Sequence, residues 1–507
     1  MSDASVAAAL RSNARLVVIE SPAGCGKTYQ GAEFARDAAP LMGRGRILVL
    51  AHTHAACDVF ASRTPGLGGR VDIRTIDSLI VQIAAVYHSP LRLPPDVGAW
   101  ARERKDGYRE LAEKVAGLLR FSPMIARSLA LRYPIIVCDE HQDANADQEA
   151  IVLACHDVGA SVRVFGDPMQ RIFGSKKKAD IEADTKRWER LQGRSERFEK
   201  LDRPHRWSNG SERLGYWILA AREPLRAGGR VDLRGPLPVG VSVLFAENQA
   251  PRHGAYLLTS GEGRPIRRLV DDRDSILVLS AHNSTVDAMR AFLGRRVPIW
   301  EGHVRDGLSA LVKSLESYAG DAEKITEAAI GFMQYVSKGF SPSAYGNSLL
   351  AEVRNGCVAR RRLMPAKLQA LGRIFLEEPN HRGAARFLLS VEALARSDSD
   401  FAQVELDCHH EFWDAVRLKE FENPSEGFAE ISRRRSSMRQ SVPAKALSTI
   451  HKAKGLECDN VLIIPCDADH FGDTHAARCN LYVAMSRASN SLTIVVSRKK
   501  PSPLVVF

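Results

Sequence analysis

The chain has no uninterrupted apolar run of the about 20 residues needed to cross a bilayer, so no membrane span is expected. Its opening stretch, MSDASVAAAL, has Asp3, no basic segment and no long apolar core, which argues against a secretory leader. It also lacks a disulfide pattern. Nine cysteines are scattered, several inside apolar runs such as IIVC and VLIIPC, and an odd, unpatterned set fits a reducing compartment. These absences together lead to the expectation of a cytoplasmic protein with no membrane partner. No internal repeat and no low-complexity tract is found, so neither a repeat array nor a biased linker is expected.

What remains is a long, basic chain. At 507 residues it exceeds one core, and 45% hydrophobic content lets it bury several. Lys plus Arg minus Asp plus Glu is 71 − 60 = +11, and the pI is about 9.2. That balance suits a polyanionic partner, although a basic enzyme without one would look alike.

The first chemical signal is SPAGCGKT, residues 21–28, after the apolar run LVVI (Leu16–Ile19), which reads as a short buried strand. Gly24 and Gly26 can adopt backbone angles closed to other residues. Ser21, Ala23, Gly24, Cys25 and Gly26 then form a loop whose N–H groups can cradle an anion. Lys27 can reach β- and γ-phosphates, and the Thr28 hydroxyl can ligate Mg²⁺. A helix expected after Thr28 adds its N-terminal dipole. The full phosphate-loop pattern has Gly at its first position, where this chain has Ser21.

A second strand, Ile135–Cys138, ends in Asp139-Glu140. Asp139 would hold Mg²⁺, and Glu140 would orient and deprotonate the attacking water, since phosphoryl transfer depends on positioning and charge. VRVFGDPMQRIF (162–173) reads as a strand leading to Gly166-Asp167 and Gln170, a glutamine placed to sense a γ-phosphate.

Taken in order, these segments resemble the UvrD/Rep/PcrA branch of superfamily 1 helicases. SPAGCGKT resembles motif I, LAHTHAAC (50–57) sits where the family has its Thr-Phe-Thr-Asn-x-Ala-Ala segment, RTIDSL (74–79) resembles the Thr-Phe-His-Ser-Leu segment and VCDEHQDAN motif II. VFGDPMQRIF resembles motif III, LDRPHRWS (201–208) the Leu-x-x-Asn-Tyr-Arg-Ser segment, and LSTIHKAKGLECDNVLI (447–463) and NLYVAMSRA (480–488) motifs V and VI. The likeness runs from about Leu16 to Ser491, with unmatched insertions between. It implies an α/β fold of two RecA-like P-loop NTPase domains, parallel sheets flanked by helices, each with a helical insertion. ATP and Mg²⁺ would lie in the cleft between the sheets. Arg206 and Arg487, from the second sheet, would contact the γ-phosphate, a chemistry that suits a guanidinium. His205 would stack on the base, and Gly455 and Glu457 would lie near the nucleotide. His52, Thr53, His54, Phe173, Thr449 and His451 match DNA-facing positions.

Several positions depart from the family. No glutamine precedes the phosphate loop to read adenine; the first is Gln30. Pro204-His205-Arg206 replaces Asn-Tyr-Arg, His52 stands for a stacking Phe, His54 for Asn and Asp77 for His. Ser175 stands where an aromatic is common, followed by Lys176-Lys177-Lys178, which is either a solvated loop or a set of phosphate contacts.

The expected layout is a first RecA-like domain at 1–195 with a short helical insertion at about 83–130, a second at 196–302 and 443–507, and a helical insertion at 303–442. Basic clusters at 360–362 and 433–435 in that insertion are either exposed helix faces or duplex contacts. Cys466, His470, His475 and Cys479 are spaced more loosely than zinc ligands usually are, and Cys408-His409-His410 is no stronger a zinc signal. No nuclease constellation is present.

The resemblance implies an ATP-dependent translocase or helicase on single-stranded or tailed duplex DNA, with 3′→5′ polarity. A second reading is a DNA-sensing ATPase that regulates a nuclease. A compact UvrD-like chain of this size is similar to the helicase-like subunit of two-gene anti-phage systems such as Gabija, whose partner is an OLD-type nuclease. A third is an RNA-directed ATPase, for which 2′-OH contacts would be needed.

Overall fold

The computed structural model describes residues 2–507 apart from 105, 175–176, 248, 253–254, 295, 301–305 and 437–442. The chain divides into two compact units, Met1–Trp300 with Val442–Phe507, and Glu301–Ser441.

The first unit holds two large parallel sheets, of six and five strands. Strands β1 (Leu16–Glu20), β2 (Ile47–Ala51), β3 (Val71–Thr75), β4 (Ile135–Cys138), β5 (Ser161–Gly166) and β6 (Arg197–Lys200) are arranged in the order β3-β2-β4-β5-β1-β6. The runs LVVIE and ILVLA are buried at every position, as a sheet covered on both faces requires. Helices α1 (Ser2–Leu10) and α2 (Lys27–Ala38) precede and follow the glycine loop. Because β4, β5 and β1 are neighbours and parallel, the loops after their carboxyl ends lie side by side. Those loops are SPAGCGKT, DEHQD and DPMQ. Chain topology therefore gathers the three phosphate-directed segments at one edge. The expected insertion contains the helices Val97–Glu103, Gly107–Phe121 and Pro123–Arg132.

The expected boundary at residue 195/196 needs correction. Arg197–Lys200 pairs in parallel with β1, from Val17↔Arg197 to Glu20↔Lys200, and is the edge strand of the first sheet. Without it, the outer edge of β1 would leave backbone groups unpaired.

The second sheet has the order Lys445–Thr449, Ile276–Ser280, Cys458–Cys466, Ala488–Val496, Val241–Phe245, all parallel. Each sheet has its own buried clusters, and one further apolar cluster joins the two. Ala23, Met169 and Ile172, from loops of the first, pack with Trp207, Leu214, Ile218, Ile463 and Tyr482.

The second unit is helical. Its helices include Ala322–Val336, Leu363–Glu377 and His381–Ser397, and its core is built on Phe340, Tyr345, Phe375, Phe387, Phe401 and Phe412. Among the described residues of the chain, no helix is long and apolar enough to cross a membrane.

Candidate active site

The glycine loop turns as its composition dictates. Gly24 and Gly26 have φ of +72° and +83°, in the left-handed region, and Gly26 caps α2. Ser21 donates its N–H to Gly166 O at 2.9 Å, which ties the loop to β5. Its buried hydroxyl has no hydrogen-bond partner among the described residues. Cys25 is buried, and burial pushes its thiol up to about 12, so it is inert as a nucleophile.

Lys27 and Glu140 form an ion pair, with Asp139 3.7 Å from the Lys27 ammonium. Burial opposes the charge on Lys27, but Glu140 and Asp139 outweigh it and hold its pKa above the ordinary lysine value. Burial likewise raises the Glu140 carboxyl, and Lys27 and Lys454 overrule it, so Glu140 is held far below the usual range. Glu140 is therefore a carboxylate at neutral pH, as a base must be. Burial shifts Asp139 upward despite Lys27. Thr28 Oγ1 donates to Asp139 Oδ2 at 3.1 Å. A hydroxyl and a carboxylate side by side, beside a phosphate loop, form the hard oxygen set that Mg²⁺ takes, so the residues fit that ion.

Behind Glu140 lies a run of hydrogen bonds. Gln142 Nε2 donates to Glu140 Oε2, and Gln142 Oε1 accepts from the Asp167 N–H at 3.1 Å. Gln170, which is buried, donates Nε2 to Asp167 Oδ2 at 3.0 Å.

The two arginines are placed differently from each other. Arg206 is anchored to the loop by its backbone, its N–H donating to Gly24 O at 3.0 Å. Its guanidinium reaches Glu457 at 2.7 Å and Ser486 O at 2.5 Å. It thus bridges the two sheets rather than belonging to the second alone. Arg487 is 2% exposed, and its guanidinium donates to Val483 O, Leu456 O and Ser486 Oγ. Burial, then Arg206, lowers its pKa to about 9, which still leaves it charged at neutral pH. These three acceptors all belong to the second sheet's own segments. Gly455 has φ +89° in the turn before Glu457. His205 places its ring 3.1 Å from where a Cβ on Gly26 would stand, and its Nε2 is 2.8 Å from Asp3.

Among the DNA-facing candidates, Phe173 is 45% exposed, with the His451 ring 6.1 Å away and the Lys454 ammonium 4.9 Å above it. His451 Nε2 lies 3.0 Å from Ile172 O. Thr449 is buried. Thr53 is exposed, but its hydroxyl accepts from Ala56 N and caps the helix His54–Arg63. His52 is half-buried; burial, then His141 and Lys454, drives its pKa to about 3, so it is a neutral ring. The His54 side chain, residues 175–176 and the side chains of 433–435 lie outside the described residues. Asp77 accepts from Gln148 Nε2 at 2.8 Å. Arg360–Arg362 are exposed, with Arg361 paired to Glu352. Cys479 Sγ meets His475 Nε2 at 3.4 Å, and His470 is held between Asp467 and Thr285. Among the described residues, no group of three or more His, Cys, Asp or Glu is placed to hold a metal.

Sequence reasoning missed four contributors. Tyr482 accepts the Ala23 N–H at 2.9 Å. Trp207, fully buried, packs on Gly24 and donates Nε1 to Ala488 O at 2.6 Å. Lys454 joins Asp143 (2.5 Å) to Gln170 O (2.8 Å). Arg222 pairs with Asp167 and Glu20. All are contacts across long stretches of chain, which leave no local pattern.

Residues 3–191 match a family model described as an AAA domain, and residues 446–495 match one described as a UvrD-like helicase C-terminal domain. No curated protein matches the chain. The first match falls on the sheet that carries the glycine loop and the second on the second sheet, and the pairing supports a UvrD-like superfamily 1 helicase.

Proposed function

We propose that this helicase-family ATPase is a translocase on single-stranded DNA, driven by ATP hydrolysis at the edge of the first sheet. The observation that carries this reading is that side chains of the second sheet touch the phosphate loop and its sensor. Tyr482 holds Ala23, and Lys454 holds Gln170 and Asp143. A change at the γ-phosphate position is then felt across the cleft, which is what coupling hydrolysis to domain motion requires.

Lys27 now pairs with Glu140. Phosphates entering the loop offer Lys27 a stronger partner, and Glu140 is then released to take a proton from water. Thr28 and Asp139 would hold Mg²⁺, which neutralises charge on the phosphates when bound. Arg206, already beside the loop, is placed to stabilise charge developing on the transferred group. Arg487 must give up its carbonyl partners to join it, so it acts only in a second arrangement of the sheets. Phe173, with Lys454 above it and His451 beside it, offers a platform for a base.

A second reading, a DNA-sensing ATPase that controls a partner nuclease, is favoured by one feature. His52, expected to stack on DNA, is half-buried, and this leaves Phe173 as the exposed ring among the described DNA-facing candidates. The test is ATP hydrolysis and strand separation by the purified chain on 3′-tailed and 5′-tailed duplexes. Glu140→Gln, expected to bind ATP but turn over about 10²–10⁴-fold more slowly, is the control. Unwinding of the 3′-tailed duplex alone supports the translocase with that polarity. DNA-stimulated hydrolysis without unwinding supports the sensor, and stimulation by RNA over DNA refutes both.

A further inference from the structure

The helix Glu212–Arg226 leaves the turn at Trp207 and presents an apolar stripe of Leu214, Ile218, Ala221 and Leu225 to the cluster that joins the two sheets. One charged side chain sits beside that stripe. Arg222 is 2% exposed, and it faces two carboxylates that are equally buried, Glu20 at 1% and Asp167 at 0%. Its Nη2 lies 2.7 Å from Asp167 Oδ1 and 2.9 Å from Glu20 Oε1, and its Nε lies 3.2 Å from Asp167 Oδ1. Arg226, one turn on, adds a 2.5 Å contact to Glu20.

Buried ion groups are expensive to desolvate, and apolar side chains of like volume often serve stability as well. Their position here is informative. Glu20 is the last residue of β1, directly before the phosphate loop. Asp167 accepts from Met169 N and from Gln170 Nε2, and it donates its own N–H to Gln142, which holds Glu140. One guanidinium fork therefore clamps the start of the phosphate loop to the residue that orients both the base and the γ-phosphate sensor. The same guanidinium stands 6.0 Å from the ring of Tyr482, whose hydroxyl holds Ala23.

We propose that Arg222 is a positioning residue for hydrolysis, which acts through Asp167 to keep Gln170 and the Gln142–Glu140 pair in register with the phosphate loop. The proposal rests on the ATPase reading above. Lysine can supply the charge at this position but not the fork, so it cannot hold both carboxylates in the same plane.

The test compares the wild-type chain with Arg222→Lys for ATP hydrolysis in the presence of a thymidine oligonucleotide, for affinity toward a fluorescent ATP analogue, and for thermal unfolding. The expected result is an unfolding midpoint and nucleotide affinity close to wild type, with kcat lowered about tenfold. Combined with Gln170→Ala, it should be no slower than the slower single variant, because both act through one Asp167 arrangement. A role in packing alone would instead lower the unfolding midpoint and multiply with Gln170→Ala. Should Arg222→Lys fail to fold, Glu20→Gln with Arg222→Gln keeps the net charge of the cluster unchanged, and the same criteria apply. A folded variant with wild-type kcat, or with multiplicative losses, overturns the proposal while leaving the ATPase reading intact. A wild-type chain that does not hydrolyse ATP refutes that reading and the proposal with it.

Discussion

Gly24→Ala tests how tightly the phosphate loop is built. Gly24 has φ +72°, and a Cβ there would lie 2.6 Å from Trp207 Cζ3, 2.9 Å from Cη2 and 2.8 Å from the Arg206 Cβ. Trp207 cannot retreat. It is fully buried, its Nε1 is bonded to Ala488 O, and its other side presses on Gly215, where an added Cβ would meet the indole at 2.8 Å. A left-handed alanine costs about 1–2 kcal/mol. Forcing a methyl into a filled site costs about 1–3 kcal/mol. Together they amount to about 2–5 kcal/mol against the loop geometry that binds phosphate. At about 1.4 kcal/mol per decade, affinity for ATP should fall about 30-fold or more. Titration of a fluorescent ATP analogue measures the loss, with thermal unfolding alongside to show that the chain remains folded. Trp207→Phe removes the two clashing ring atoms, so Gly24→Ala should cost less in that background, by part of the packing share, while the backbone share persists. Wild-type affinity in Gly24→Ala, or an equal loss in both backgrounds, would refute the steric argument.

Other perturbations have signed outcomes. His52 has a folded pKa of about 3, against about 6.5 in an unfolded chain. Between those values the unfolded state holds the extra proton, so this site makes stability fall as pH drops, by up to about 1.4 kcal/mol per unit. His52→Asn should flatten the urea midpoint against pH between about 6 and 4, and an unchanged slope would show that the ring is not buried neutral. Phe173→Ala should weaken single-stranded DNA binding by about 1–3 kcal/mol if one base stacks there. The salt dependence should keep its slope, because no charge is lost; unaltered affinity would remove Phe173 from the path. Lys454→Met removes the tie between Asp143 and Gln170 O. It should leave ATP affinity near wild type yet slow DNA-stimulated turnover, read as kcat against KM, and a change in KM alone would contradict the coupling role.

The sheet and its phosphate edge were legible because their signals are local. A buried strand, a glycine pair and Lys-Thr occupy 13 consecutive residues, Leu16 to Thr28, and Asp139-Glu140 follows its strand directly. The edge strand β6 was not legible. Its sequence RFEK is polar, and three of its four residues are exposed, so no hydrophobic period marks it. The orientation of Arg487 was not legible either, since a motif gives a residue's place in the chain and not which carbonyls hold its guanidinium. Arg222 had left a trace. A charge at the end of the fully buried run LVVIE needs a buried partner, and Arg222 adjoins the apolar rhythm of 214, 218, 221 and 225. The pairing spans 202 residues of chain, and no window along the sequence could join the two halves.

The glycine loop has a second job that its motif does not announce. A free loop of this kind turns its amides toward an anion. Here the Ala23 N–H is already donated to Tyr482, the Gly24 carbonyl accepts from Arg206, and the His205 ring lies over Gly26. Each of these contacts comes from beyond β6, and Arg206 and His205 stand where a Cβ on Gly24 or Gly26 would meet them. The glycines at 24 and 26 thus serve close approach as well as backbone angle. A loop that met only phosphate would need the angle alone. Because its neighbours press on it from the side of the second sheet, a shift of the loop on phosphate binding must move Trp207, Arg206 and Tyr482 as well. On the translocase reading proposed above, hydrolysis and sheet movement would share these atoms rather than communicate through a distant path.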